Sequence, residues 1–289
     1  MLKVFTVILT FNNEKTIPVL LDSLFPFKSR FKVIIADNRS TDKTLQQIKK
    51  YNFVKLIKNK KNLGFSAGNN VGIKYAFKKG ADVIFLLNPD TVLPKNFLKN
   101  FQEGTELLLN SNAVGIIGPK IYDEKGKLWS AGGTIDERRY SAKLTGYGSV
   151  DVGQYNANID LDYVSGTAIF IKKEVFEKIG LLKEDYFLYY EDVDFCFRAK
   201  KAGFKLAIDP NITITHNASS SVGKNSSVMQ YYMARNHMLF VERFAPLKVR
   251  VREIVRLPKT IYKAKHRKYE LLGIKDYLLR RFGKNVNWS

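Results

Sequence analysis

Phe31–Asp42 reads "FKVIIADNRSTD". Up to Ala36 the run is apolar except for Lys32, and it stops on Asp37 ahead of the turn-forming residues Asn38, Ser40 and Asp42. A short apolar, β-branched run closed by such residues predicts a strand, and Thr41–Lys50 then has the pattern of a helix. The same unit recurs on both sides. "KVFTVILT" (3–10) predicts a strand and Thr16–Leu24 a helix; "FVKLIK" (53–58) predicts a strand, Ser66–Lys79 a helix and "DVIFLLN" (82–88) a strand. Helix Pro94–Asn110 and strand "AVGIIGP" (113–119) continue the rhythm. A βαβ series of this kind implies an α/β fold, a mostly parallel twisted sheet with helices on both faces. In such sheets ligands bind beyond the carboxyl ends of the strands. Those ends are "TFNNE" (10–14), "DNRSTD" (37–42) and "NPDT" (88–91), and all are polar.

The rhythm changes after Pro119. Gly- and Tyr-rich sequence to about residue 160 suggests a hairpin or long loops over the site, followed by strand "YVSGTAIFIKK" (163–173) and a short helix from Glu174. "EDVDFCFRAKKAGF" (191–204) predicts a helix ending before Gly203, Lys205–Ile208 and Ile212–Thr215 two short strands, "HNASSSVGKNSS" (216–227) a flexible polar loop, and Val228–Phe244 a helix. No internal repeat is visible.

The chain has 289 residues with 45% hydrophobic content, enough for one large domain. Its net charge of +21 favours anionic partners such as nucleic acid, anionic lipid or phosphorylated small molecules. The excess is concentrated at the end: from Arg243 onward fourteen Lys and Arg face three acids. Val251, Ile254, Val255, Ile261 and Tyr262 fall near one helical face there, with a kink expected at Pro258. A basic amphipathic tail of this kind can lie on an anionic bilayer; the alternative is a solvated helical tail packed on the domain. Residues 1–242 are therefore read as one domain whose rhythm changes at 119/120, and 243–289 as the tail. The single cysteine, Cys196, excludes an intramolecular disulfide or a multi-cysteine zinc site and reads as a buried thiol. With no signal-peptide pattern at the N-terminus and no apolar run long enough to span a bilayer, the expected location is cytoplasmic, with membrane contact only at the surface.

Four stretches carry chemistry. Asp37, at a strand's carboxyl end, suits the imide or hydroxyl groups of a nucleoside, whereas Ser40, Thr41 or Asp42 reads first as a helix N-cap. "NLGFSAGNN" (62–70) places Gly64 and Gly68 in the loop before a helix, with Asn62, Asn69 and Asn70 as amides. It is either an N-terminal loop or a backbone approach to a nucleotide, and it matches neither the dinucleotide nor the phosphate-loop fingerprint. Asp90 of "LLNPDT" is a turn residue or a carboxylate holding Mg²⁺ or Mn²⁺ against a diphosphate, and His216 could supply a nitrogen ligand. Glu191, Asp192 and Asp194 open a helix, where the dipole favours acids, and Asp194 with Arg198 has salt-bridge spacing. Asp192, beside "YFLYY" (186–190), is a candidate general base.

Taken together and in this order, "VILTFNNE", "VIIADNRSTD", "NLGFSAGNN", "FLLNPDT", "VSGTAIFIKK", "FLYYEDVDFCFRAKKAGF" and "YYMARNHMLF" resemble the family 2 inverting glycosyltransferases of GT-A fold, particularly the rhamnosyltransferase-like branch. The resemblance covers about residues 3–242 and leaves the tail outside; it implies that 1–242 is a catalytic domain with a nucleotide-binding half at 1–119 and an acceptor and catalytic half at 120–242. It implies that Thr10, Phe11 and Asp37 hold a nucleobase, and that Asp42 and Asn69 line the nucleoside. Asn12, Asn38, Asn62 and Gly68 join the same donor-binding set, and Gly166 and Thr167 lie near the donor sugar. "NPD" stands where the family has its DxD metal motif, so Asp90 carries over as a ligand, while Asn88 instead contacts ribose or sugar. His216 matches a metal-ligand position, Asp192 the catalytic base and Glu191 its neighbour. The implied activity is inverting transfer from a nucleotide-sugar, dTDP-rhamnose or a UDP-hexose, to a glycan or lipid-linked glycan with a divalent cation, Mn²⁺ or Mg²⁺, in cell-surface polysaccharide synthesis. The rival readings are a nucleic-acid-binding protein, disfavoured because the basic excess sits in the tail while the ordered motifs are acidic or amide-rich, and a nucleotidyltransferase, disfavoured by the lack of a Gly-rich loop after the first strand. The sequence leaves the oligomeric state open.

Overall fold

The computed structural model describes residues 2–111, 114–156, 161–217, 226–263 and 267–284. The N-terminal part is β1 (Val4–Thr10), α1 (Ile17–Leu24), β2 (Phe31–Asp37), α2 (Thr44–Ile48), β3 (Val54–Lys58), α3 (Gly64–Lys78), β4 (Val83–Leu87) and β5 (Thr91–Val92). There follow α4 (Phe97–Asn100), a π-helical turn (Phe101–Thr105), α5 (Glu106–Asn110), β6 (Val114–Asp123), β7 (Leu128–Ser130), β8 (Gly133–Asp136), β9 (Ser141–Leu144), β10 (Ala168–Lys172), α6 (Lys173–Ile179), α7 (Glu191–Lys201) and β11 (Lys205–His216). Helices α8 (Ser227–Phe244), α9 (Leu247–Lys263) and α10 (Lys268–Leu278) close the described chain.

Among the described residues the main sheet has nine strands in the order β3-β2-β1-β4-β10-β6-β11-β5, with β7 on β6. Strands β3, β2, β1 and β4 are parallel. Strand β10 runs antiparallel between β4 and β6, and β11 is parallel to β6. One core lies under α1, α4 and the π turn, where Phe31, Phe85, Phe97, Phe101 and Phe170 meet; Phe85 and Phe170 stack across β4 and β10 at 4.0 Å. The other core lies under α3, α6, α7 and α8. The α/β reading therefore holds, with the antiparallel β10 making the sheet mixed.

Several local expectations change. Helix α2 is shorter than Thr41–Lys50, because side chains of the β1 loop take the backbone donors of its approach: Asn12 Oδ1 accepts from Thr41 N at 2.8 Å and Glu14 Oε2 from Lys43 N at 3.0 Å. Gly68 is not in a loop. Helix α3 begins at Gly64, and a Cβ on Gly68 would sit 2.3 Å from Leu9 and 3.0 Å from Asn38, so the glycine serves close helix–strand packing. The helix expected over Pro94–Asn110 starts at Phe97 and carries the π turn. "YVSGTAIFIKK" is strand only from Ala168. The two short strands expected after Gly203 are one long strand, β11, with register shifts that absorb Pro210. A hairpin, β8–β9, does form after Pro119. Helix α9 continues through Pro258. Most of the polar loop expected at 216–227, together with His266, falls outside the described residues.

The basic tail is helical, and α10 packs back on α8. Gly273 permits this, since a Cβ there would meet Tyr231 O at 2.3 Å, and Tyr231 Oη donates to Asp276 Oδ2 at 2.7 Å.

Candidate active site

Strands β1, β2 and β4 end at one edge, and their last residues interlock. Asp37, 1% exposed, accepts from Thr10 Oγ1 at 2.9 Å, Ser40 Oγ at 2.6 Å and Ser40 N at 2.9 Å. Asn12, in the left-handed region at φ 56°, takes its N–H to Ser40 Oγ at 2.9 Å. Asp42 accepts from Glu14 N and from Thr44 N, both at 3.0 Å, tying the β1 loop to the start of α2. The buried Asn38 donates to Asn62 Oδ1 and Gly64 O and accepts from Asn59, while Asn62 Oδ1 also takes Gly64 N at 2.9 Å to secure the head of α3. The predicted nucleotide residues are thus one hydrogen-bonded platform. Phe11, 46% exposed above it, is the large apolar surface available to a base. Asn69 lies in α3 and donates to Phe65 O at 3.0 Å.

The second set gathers where β4 meets β10 and β11. Asn88 N donates to Thr167 O at 2.9 Å, which lays Gly166–Thr167 beside the end of β4. His216 ends β11 in register with Thr91, so its Nε2 lies 3.3 Å from Asp90 Oδ1 with both side chains buried, and Trp129 packs edge-on against the imidazole at 4.6 Å. His216 Nδ1 is buried without a hydrogen-bond partner among the described residues. A carboxylate and an imidazole held this way are a partial ligand set; no group of three or more His, Cys, Asp or Glu among the described residues could hold an ion alone.

Asp192 lies in the first turn of α7. Gly166 N donates to its Oδ2 at 2.8 Å and Val193 N to its Oδ1 at 2.8 Å. Gly166 can approach because it lacks a side chain, since a Cβ would sit 3.2 Å from Asp192 Cβ. Asp192 is half-buried, and burial holds its carboxyl above the usual aspartate range. Glu191 is 5% exposed, with Oε2 unpartnered among the described residues; burial, then the neighbouring Asp192 charge, pushes it well above the usual glutamate range. Asp194 bonds Arg198 at 2.6 Å, as the spacing predicts, and Arg243 approaches it at 3.6 Å.

Two residues of this site were not singled out by sequence reasoning. The segment leading into α7 places Phe187, Tyr189 and Tyr190 at φ 64°, 67° and 73°, a costly conformation for bulky side chains. Asn236 and Arg235, both fully buried on α8, hold it. Asn236 Nδ2 lies 2.9, 2.7 and 2.8 Å from the carbonyls of Tyr186, Leu188 and Tyr189, and Arg235 reaches Tyr186 O at 2.7 Å and Asp185 O at 3.1 Å. An Arg-Asn pair at the centre of the motif "YYMARNHMLF" was the available signal.

The family model for glycosyl transferase family 2 matches residues 6–180. The chain is 27% identical over 262 residues to the dTDP-rhamnosyl transferase RfbF of Shigella flexneri, covering 87% of this chain and 84% of that protein. It is 25% identical over 215 residues to the N-acetylglucosaminyl-diphospho-decaprenol L-rhamnosyltransferase of Mycobacterium tuberculosis, covering 67% and 68%. The crystal structure of GalNAc-T7 with UDP, GalNAc and Mn²⁺ superposes with a TM-score of 0.64 at 17% identity, over 84% of this chain and 48% of that longer one. That likeness shows a GT-A fold.

Proposed function

The chain belongs to glycosyl transferase family 2, and from that premise we propose that it moves a sugar, rhamnose from dTDP or a hexose from UDP, onto a hydroxyl of a glycan or lipid-linked glycan with inversion. The rhamnosyltransferase relatives support the donor, and the relative acting on a decaprenol-linked saccharide supports the acceptor. The observation that carries the reading is Asp192, a half-buried carboxylate fixed by Gly166 N at 2.8 Å on the sheet edge that also bears the Asp90–His216 pair.

In the proposed reaction an acceptor oxygen attacks the anomeric carbon as Asp192 takes its proton, and the bond to the diphosphate oxygen breaks on the opposite face. A single displacement inverts the centre. The raised affinity of Asp192 for a proton suits a base, while the two N–H donors keep enough of it ionised and fix its direction. Thr10, Asp37 and Phe11 receive the nucleobase, and Asn88, Gly166 and Thr167 border the sugar. Asp90 and His216 would hold a divalent cation together with donor oxygens, and when bound it supplies charge neutralisation at the leaving diphosphate. The 3.3 Å approach of His216 Nε2 to Asp90 Oδ1, with both side chains buried, supports this reading, since two ligand atoms turn to one position.

The test is nucleoside-diphosphate release from a panel of dTDP-, UDP- and GDP-sugars with Mn²⁺ or Mg²⁺ and a polyprenyl-diphosphate-linked saccharide acceptor. Acceptor-dependent release from one donor, with an inverted linkage by NMR, is the expected result. Absence of release from every donor, in protein that binds them by calorimetry, would overturn the reading.

A further inference from the structure

Helix α9 carries three distinct stripes. Val249, Glu253, Leu257 and Thr260 turn toward the domain; Val249 and Glu253 are buried, and Glu253 pairs with Arg139 at 3.5 Å. Leu247, Val251, Ile254, Val255, Ile261 and Tyr262 recur at the three- and four-residue spacing of one face, and all six are exposed. Leu247 is 76% exposed, Val255 73%, Tyr262 70% and Ile254 64%. Lys248, Arg252, Arg256 and Lys259 run along one flank of it. The only acid in the helix, Glu253, faces inward.

From Ile261 the apolar surface continues into a groove of about 320 Å³ between the ends of α9 and α10, lined by Leu271, Ile274, Leu278 and Leu279, with Lys275 at its rim. Leu278 and Leu279 are themselves half exposed.

We propose that α9 and the end of α10 form a membrane-docking surface that lies in the interface of an anionic bilayer, apolar stripe inward and basic flank among the headgroups. Contiguous apolar exposure on this scale marks an interaction site, and a helix with a bare apolar stripe and a cationic flank matches the pattern of an interfacial helix. The charge selects the partner: a protein groove would need matching acids beside an apolar cleft, whereas an anionic bilayer presents negative headgroups above hydrocarbon along the whole helix. Among the described residues no helix is long and apolar enough to cross a membrane, so the surface lies on the bilayer.

The helix is also tied to the candidate site. Glu253 of α9 holds Arg139, whose carbonyl lies 2.9 Å from His237 Nε2, and the His237 ring is 6.1 Å from that of Tyr190, the residue just before Glu191 and Asp192. The buried side of α9 is therefore linked through Arg139, His237 and Tyr190 to the segment that carries Asp192. The inference stands on the surface alone and does not require the transfer reaction.

The experiment is co-sedimentation of the full chain with phosphatidylcholine vesicles with and without phosphatidylglycerol, no donor present. The parent is expected to partition onto the anionic vesicles and to be released by salt. Ile254→Asp with Val255→Asp should lower the partition constant by about tenfold or more, and Lys248→Gln with Lys259→Gln by about twenty-fivefold, near fivefold per cation. All four side chains are exposed, so the unfolding midpoints should match the parent. Failure of the parent to bind, or equal binding by parent and the Asp variant, would overturn the proposal. So would light scattering that shows a parent dimer abolished by the Asp variant without any vesicle binding, since the stripe would then be covered by a second copy.

Discussion

The two halves of the site are held in different ways. At the ends of β1 and β2 the polar side chains hold one another: Thr10 with Asp37, Asn12 with Ser40 and Thr41, and Asn38 with Asn59 and Asn62, across 21 to 29 positions of sequence. At the head of α7 the backbone itself is in an unfavourable conformation, and it is held from 47 to 50 positions away by Asn236. The first arrangement follows from parallel strands that stop together, so each motif supplies its neighbour's partner. The second aims one carboxylate, Asp192, and stores strain to do so. A platform that binds can share its load among many weak bonds; a general base must be placed to within a fraction of an ångström of its reacting position.

The sharpest way to break this contrast is at the base. Asp192→Asn keeps an acceptor for Gly166 N but cannot take a proton, so transfer should fall about a thousandfold, within the range for a general base. Calorimetric donor affinity and the unfolding midpoint should stay close to the parent. Next is the support from α8. Asn236→Ala takes the side-chain donor from the Leu188 and Tyr189 carbonyls, while Tyr186 O keeps Arg235, which costs ~2 kcal/mol in urea unfolding and should lower kcat more than donor affinity. On the other side, Asp37→Asn keeps one acceptor of two and loses the charge-assisted bonds to Ser40, a cost of ~1 to 2 kcal/mol. Its effect should fall on donor affinity and spare kcat at saturating donor. If Asn236→Ala and Asp37→Asn shift the same parameter, the two halves are not doing different jobs.

The same contrast explains what could be read in advance. Strand ends such as Asp37 and "NPDT" announce themselves because the apolar run and the polar stop are adjacent in sequence, and the βαβ order then brings the ends together. The Asp194–Arg198 bridge was legible for the same local reason. Asn236 was not, because its partners are backbone carbonyls, which every residue has and no sequence marks. Gly68 was misplaced because a glycine before an apolar helical pattern has two explanations, a flexible loop or a close helix crossing, and only the 2.3 Å approach to Leu9 separates them. The single strand β11 read as two because Pro210 interrupts an extended run that a register shift accommodates.

The smallest effect concerns Glu191, the carboxyl beside the base that the proposed reaction does not use. Its folded pKa is well above the ordinary 4.5, chiefly through burial and then through the charge of Asp192. The contribution it makes to stability is therefore fully present below the unfolded value and is lost as pH rises through the folded one, because only the unfolded chain ionises freely in that window. Glu191→Gln removes this dependence while keeping the shape. Variant and parent should have matching urea midpoints near pH 4, and the variant should become progressively the more stable as pH rises above 5. As the proposed base, Asp192 should impose the opposite trend on rate: turnover should fall as the solution is acidified, with its midpoint above the ordinary aspartate value of 3.8. A stability difference that does not grow with pH would mean that Glu191 is ionised in the fold, and that its buried oxygen Oε2 has a partner in solution.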